Sequence, residues 1–105
     1  MKLQNHQPVL KMFGNGFQIT FPNKYSVVVK IGINTQSTQV QKIEDAADYL
    51  MAARYGGMYG PDCEVEVYDP SAKNITDKFG AENSLGFVSM QSLAVLLYTV
   101  SSLRK

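Results

Sequence analysis

The chain has 105 residues, 45% of them hydrophobic and 18% charged, with a formal net charge of +1. That length is one domain with one modest core. The single cysteine, Cys63, and single histidine, His6, exclude an intramolecular disulfide, a multi-thiolate zinc site and a two-histidine metal site within one chain.

The balance of polarity is carried by seven glutamines and six asparagines. Charge is unevenly spread: residues 1–42 hold five lysines and no acid, whereas 43–69 hold seven acids and one base, Arg54. Such asymmetry either steers an oppositely charged partner or lets neighbouring pieces neutralise each other. No arginine–lysine cluster points to nucleic acid as the partner. The start "MKLQNHQPVL" lacks the apolar centre of a signal peptide, and the longest apolar run, "LAVLLYTV" (93–100), is far short of the ~20 residues that span a bilayer. The expectation is a protein of a reducing compartment, without a membrane partner.

Residues 1–12 are expected to be flexible, with "PVLKMF" able to add a short edge strand. "GFQITF" alternates, with Phe17, Ile19 and Phe21 on one side and Gln18 and Thr20 on the other, the period of a half-buried strand. "PNKY" is a tight turn; Pro22 stops ladder pairing on its own residue, and Asn23 tolerates the left-handed conformation that hairpin turns need. "YSVVVKIGI" follows, rich in β-branched residues, with Tyr25, Val27, Val29, Ile31 and Ile33 on one face. Together these form a hairpin over 16–34.

The period then changes. Val40, Ile43, Ala46, Ala47, Leu50 and Met51 recur at helical spacing. Thr38 and Gln41 form a possible capping box, acids crowd the first half, and Arg54 closes a helix predicted over about 39–54. Gly56 or Gly57 supplies its stop. "CEVEVYD" alternates again, with Cys63, Val65 and Val67 inward and Glu64, Glu66 and Tyr68 outward. "PSAKN" reads as a turn, "ITDKF" as a short strand pairing back, and "GAENSLG" as a loop. Ser89 is a good N-cap for a last helix whose stripe is Leu93, Leu96, Leu97, Val100 and Leu103.

The element order is therefore β-β-α-β-β-α. It predicts an α+β fold: a small two-layer domain with a four-stranded, mainly antiparallel sheet and both helices on one face.

Catalytic groups are sparse. His6 lies in a polar tail with no cysteine or carboxylate beside it, so it reads as an exposed residue and not as part of a triad. Cys63 faces inward between Asp62 and Glu64, which raise a thiol's pKa, so it reads as a buried structural cysteine. Glu44 and Asp48 share a helix face and could hold a divalent ion, but they equally make a solvated, dipole-favoured face. Glu64 and Glu66 read as surface. "FGNGF" precedes a strand, the wrong context for a phosphate loop. No cofactor is implied.

The stretch "RYGGMYGPD" (54–62) must turn the chain from helix to strand. Its glycines suffice for that, yet it also carries Arg54, Tyr55, Met58 and Tyr59. Amphipathic rings beside glycines suit recognition, and these four residues are the candidate binding site. The alternative is that Tyr55 and Tyr59 cover one end of the core.

Two pieces, "GFQITFPNKYSVVVKIG" (16–32) and "EVEVYDPSAKNITDKF" with "LGFVSMQSLAVLLYTVSSL" (64–103), resemble a loose group of short, largely uncharacterised tailed-phage proteins. The shared features are a Gly-Phe-x-ϕ-x-Phe hairpin, an "EVxVxD" strand and a Leu-Gly-aromatic step into the last helix. Where that group closes its hairpin with Asn-Gly, this chain has Asn23-Lys24. Residues 35–60 have no counterpart. The resemblance implies phage origin and a small accessory protein in the cytoplasm of the infected bacterium, and brings no activity with it.

The leading expectation is thus a non-enzymatic binder of a host protein or complex, an inhibitor of a bacterial defence system, assembled as a homodimer or higher. The alternatives are a sponge holding a nucleotide second messenger between subunits, using Arg54, the tyrosines and the hairpin lysines, and a metal-dependent carboxylate enzyme.

Overall fold

The computed structural model describes residues 7–32, 35–38 and 61–104. Over these it is an α+β structure with a five-stranded antiparallel sheet in the order β1-β2-β3-β4-β5 and one α-helix. The strands are β1 (Val9–Phe13), β2 (Gly16–Thr20), β3 (Ser26–Lys30), β4 (Asp62–Tyr68) and β5 (Leu85–Ser89); the helix is α1 (Met90–Ser101).

The alternation in the sequence sets the register. Leu10, Ile19, Val27 and Val67 form one cross-strand row, and Met12, Phe17, Val29 and Val65 form the next. Both rows face α1. Val27, Val29, Val65, Val67 and Cys63 are completely or almost completely buried, which β-branched side chains on a pleated surface achieve at little entropic cost. The other face carries Lys11, Gln18, Val28 and Glu66 in one row and Thr20, Ser26 and Tyr68 in another.

The predicted four-stranded sheet becomes five-stranded through one loss and two gains. "ITDKF" is not a strand; Thr76–Phe79 is a 3-10 helix. The reason is Thr76, whose buried hydroxyl accepts from the backbone N–H of Val67 at 2.9 Å, the bond a paired strand's carbonyl would otherwise accept. Backbone pairing with β4 ends at the Tyr68–Asn74 bridge and the Ile75 N–H to Val67 oxygen bond. The second correction is β5 itself. It begins inside the segment read as a loop, because a bulge breaks its period. The expected edge strand in "PVLKMF" is present as β1.

Helix α1 begins where expected. Ser89 is the N-cap and its Oγ accepts from the Ser92 N–H at 3.2 Å. Of the predicted stripe, Leu93 and Val100 are buried, while Leu96, Leu97 and Leu103 are only partly so. Seven residues span nearly two turns, so Leu93 and Val100 share the centre of the buried face and Leu97 sits on its flank. Leu97, placed by the sequence on the buried stripe, is therefore only partly buried. The helix lies against β3 and β5. Leu10 and Met12, on the same face at β1, remain exposed.

The second helix of the two-layer reading, 39–54, lies outside the described residues, so one helix on one face is what they contain. Thr38, its expected N-cap, donates from both its N–H and its hydroxyl to the Asp62 carboxylate.

Two details of the β2–β3 turn depart from the sequence reading. The left-handed residue is Lys24, at φ 74°, and not Asn23. Asn23 instead reaches 77 residues along the chain, donating from Nδ2 to the carbonyl oxygens of Val100 (2.8 Å) and Leu103 (2.9 Å). Gly16 is required for a different reason: a Cβ there would meet the Val29 carbonyl oxygen at 1.8 Å.

Candidate functional site

The sequence-predicted site, Arg54, Tyr55, Met58 and Tyr59, lies outside the described residues, as do His6, Glu44 and Asp48. Asp62 and Glu64, at the start of β4, are described, and both hold the incoming segment 35–38. Asp62 accepts from Thr38, and Glu64 Oε1 accepts from the Gln36 N–H at 3.1 Å. Cys63 between them is buried, its Sγ 3.5 Å from the Val88 carbonyl oxygen. Burial first, and Asp62 second, push its thiol up to about 11, which leaves it a poor nucleophile at neutral pH. That agrees with the structural reading of Cys63. Glu66, read as surface, is partly buried and ion-paired with Lys30 at 3.2 Å, so the basic hairpin and acidic strand do meet side by side.

The described residues bring a different constellation together, at the junction of β5 and α1. Cys63 faces Val88 and Val65 faces Leu85, so Gly86 and Phe87 together oppose Glu64. This is a β-bulge, and a bulge turns a side chain away from the direction the alternation would give it. Leu85 and Val88 therefore both pack on the core, and Phe87 is turned out to 63% exposure. Its backbone is left-handed, φ 53°, a conformation uncommon for a bulky residue. The Phe87 N–H donates to the Gln36 carbonyl oxygen at 2.6 Å, which fixes the bulge. Gly86 makes that approach possible, since a Cβ there would lie 2.6 Å from the Gln36 side-chain oxygen.

Beside Phe87 runs a groove of about 590 Å³ between β5, the 3-10 helix and α1. Phe79, Leu85, Val88 and Leu96 are its apolar wall, and Val95, 67% exposed, stands on its helical side. Its other end is polar, at Ser89, Gln91 and Ser92 in the first turn of α1. Met90 and Tyr98 are exposed nearby on the same helix. A groove of this kind can take an apolar side chain from a partner and bond the backbone beside it.

Sequence reasoning missed this site because it read "GAENSLG" as a loop. The signal was present in "LGFVS": leucine and valine three apart, with glycine and phenylalanine between, is the spacing a bulged strand produces. The Leu-Gly-aromatic step noted in the sequence falls on these residues.

No family model, curated protein or solved structure matches the chain. Among the described residues no group of three or more histidine, cysteine, aspartate or glutamate side chains could hold a metal ion. No helix among them is long and apolar enough to cross a membrane.

Proposed function

We propose that the chain is a small, non-enzymatic, phage-encoded binding protein that acts on a host protein in the bacterial cytoplasm, as an inhibitor of a defence system, and that it engages this partner through the β5–α1 groove. The observation that carries the reading is Phe87: a large apolar ring held outward by a bulge at a left-handed position. An aromatic ring costs little entropy to immobilise and anchors interfaces well. Strain of this kind persists where the surrounding structure imposes it, and it clusters at functional positions. Val95 and Tyr98 extend the same exposed surface along α1.

The test pairs two substitutions with two readouts. Phe87→Gly removes the ring and relieves the backbone, and Val95→Asp places a charge on the groove's helical side; both leave the core untouched. The expected outcome is an unchanged or raised thermal midpoint with loss of a defined host partner in photo-crosslinking from positions 87 and 95, and loss of protection on defence-carrying strains. Undiminished protection by both variants would sink the reading. Crosslinking only to a second copy of the chain would reassign the groove to self-association.

A further inference from the structure

We propose that the open face of the sheet carries a separate small-ligand site, a pocket of about 360 Å³ between Lys24 and Tyr68, that takes a phosphorylated sugar, either free or as part of a nucleotide. Its volume lies within the range of small-molecule pockets. It shares no lining residue with the β5–α1 groove, and the two lie on opposite faces of the sheet.

The floor comes from neighbouring strands. Gln18 of β2 and Ser26 and Val28 of β3 all point to the face away from α1. Ser26 is buried although no second layer covers this face among the described residues, and its hydroxyl lies 2.9 Å from that of Thr20. The Gln18 amide donates to Thr20 at a long 3.4 Å, and its carbonyl oxygen has no partner among the described residues. A floor of one amide, one hydroxyl and a valine matches a ring that carries hydroxyls on one edge and C–H groups on its face.

The wall is rigid. The Tyr68 hydroxyl donates to Glu66 Oε1 at 2.8 Å, while burial, that bond and the Glu66 charge all raise its pKa and keep it a donor. Pro70 and Ala72 continue the wall along the next turn. That turn is tied by Asp69, whose Oδ1 accepts from the N–H groups of Ser71 (2.8 Å) and Lys73 (2.9 Å). Oδ2 of Asp69 can accept from a ring hydroxyl.

The charge comes from lysine. Across the same face Lys30 is ion-paired with Glu66. Lys24, which lines the pocket, and Lys11, beside Gln18 in the ladder, have no carboxylate within ion-pair distance among the described residues. An unpaired lysine lining a polar, partly enclosed pocket favours a phosphate.

Backbone strain points to the same place. Three non-glycine residues among those described have positive φ, and two of them, Lys24 (74°) and Ala72 (64°), line this pocket. Glycine would close the β2–β3 turn at no steric cost. A lysine held there, lining the pocket, comes at the expense of local stability, the pattern expected of a ligand clamp.

The experiment uses the full chain, labelled with nitrogen-15 and titrated to low-millimolar ligand with ribose 5-phosphate, adenosine 5′-monophosphate, adenosine and inorganic phosphate. The expected result is saturable movement of the Gln18, Ser26, Val28 and Tyr68 amides with the two phosphorylated sugars and not with adenosine. The stronger binder of the two identifies the source as free sugar phosphate or nucleotide. Lys24→Gly should raise the thermal midpoint and weaken binding by roughly tenfold or more, and Lys24→Arg should retain it. The proposal is overturned if no saturable movement occurs, if Lys24→Gly binds undiminished, or if inorganic phosphate alone binds as well as ribose 5-phosphate. None of these outcomes depends on the host-protein groove.

Discussion

The side chain of Asn23 donates to the carbonyl oxygen of Val100 at 2.8 Å and so joins the β2–β3 turn to the end of α1. The last carbonyls of a helix have no partner within it and must find one elsewhere. Asn23 supplies one such bond, to Val100, whose oxygen also accepts from the Leu103 N–H at 3.1 Å, and a second to Leu103 just past the helix; its Oδ1 accepts from the Tyr25 N–H at 3.0 Å. Tyr25 reinforces the junction through its hydroxyl, which donates to the Arg104 carbonyl oxygen. Asn23→Ala should therefore destabilise the protein by about 1–3 kcal/mol, measured by chemical denaturation. Asn23→Asp should cost more, because it turns a donor facing two carbonyl oxygens into an acceptor.

Leu93 and Leu97 should separate in a truncation series. Leu93 is buried at the centre of the helical face, and Leu93→Ala should cost about 2–5 kcal/mol. Leu97 is half-buried on the flank, and Leu97→Ala should cost less than about 2 kcal/mol. Equal losses in midpoint would mean that α1 is rotated from the orientation described.

Cys63 should impose a pH dependence on stability at the alkaline end. Its thiol rises from 9.0 to about 11 on folding. Below about 9 the thiol is protonated in both states and its contribution is fully present. Between about 9 and 11 the unfolded chain loses the proton and the folded one keeps it, so stability falls as pH rises. Cys63→Ala should flatten that part of the profile. At pH 8 the native thiol should resist alkylation and become reactive on unfolding; rapid labelling of the native protein would contradict its burial.

The free edge of the sheet predicts self-association. In β1, Val9, Leu10 and Met12 are all more than half exposed, and the strand has no partner on its outer side among the described residues. One charge, Lys11, interrupts it, which is weak protection for an edge strand. A homodimer through β1 is the expected form, and Leu10→Lys with Met12→Lys should convert it to monomer in light scattering. A wild-type monomer at high micromolar concentration would refute it.

The sequence by itself determined the elements whose signals are local. Alternation marks β2, β3 and β4 and names their buried residues, because the side-chain period of a strand is two and one face is apolar. Ser89 and the leucine spacing mark α1 from its first residue. Cys63 reads as inert from its position in the strand and its acidic neighbours. Only the tertiary structure decided what depends on a distant partner. "ITDKF" alternates well enough to be a strand, but Thr76's hydroxyl occupies a ladder position on β4 and curls the chain into a 3-10 turn. The loop reading of "GAENSLG" runs on through Leu85 and Gly86, but Val65 and Cys63 hold Leu85–Ser89 in the sheet, and the bulge that accommodates the extra residue turns Phe87 outward. Asn23 has turn chemistry in the sequence and a helix to cap in the fold. In each case the deciding hydrogen bond or packing contact joins residues far apart in the chain, and a local period carries no record of it.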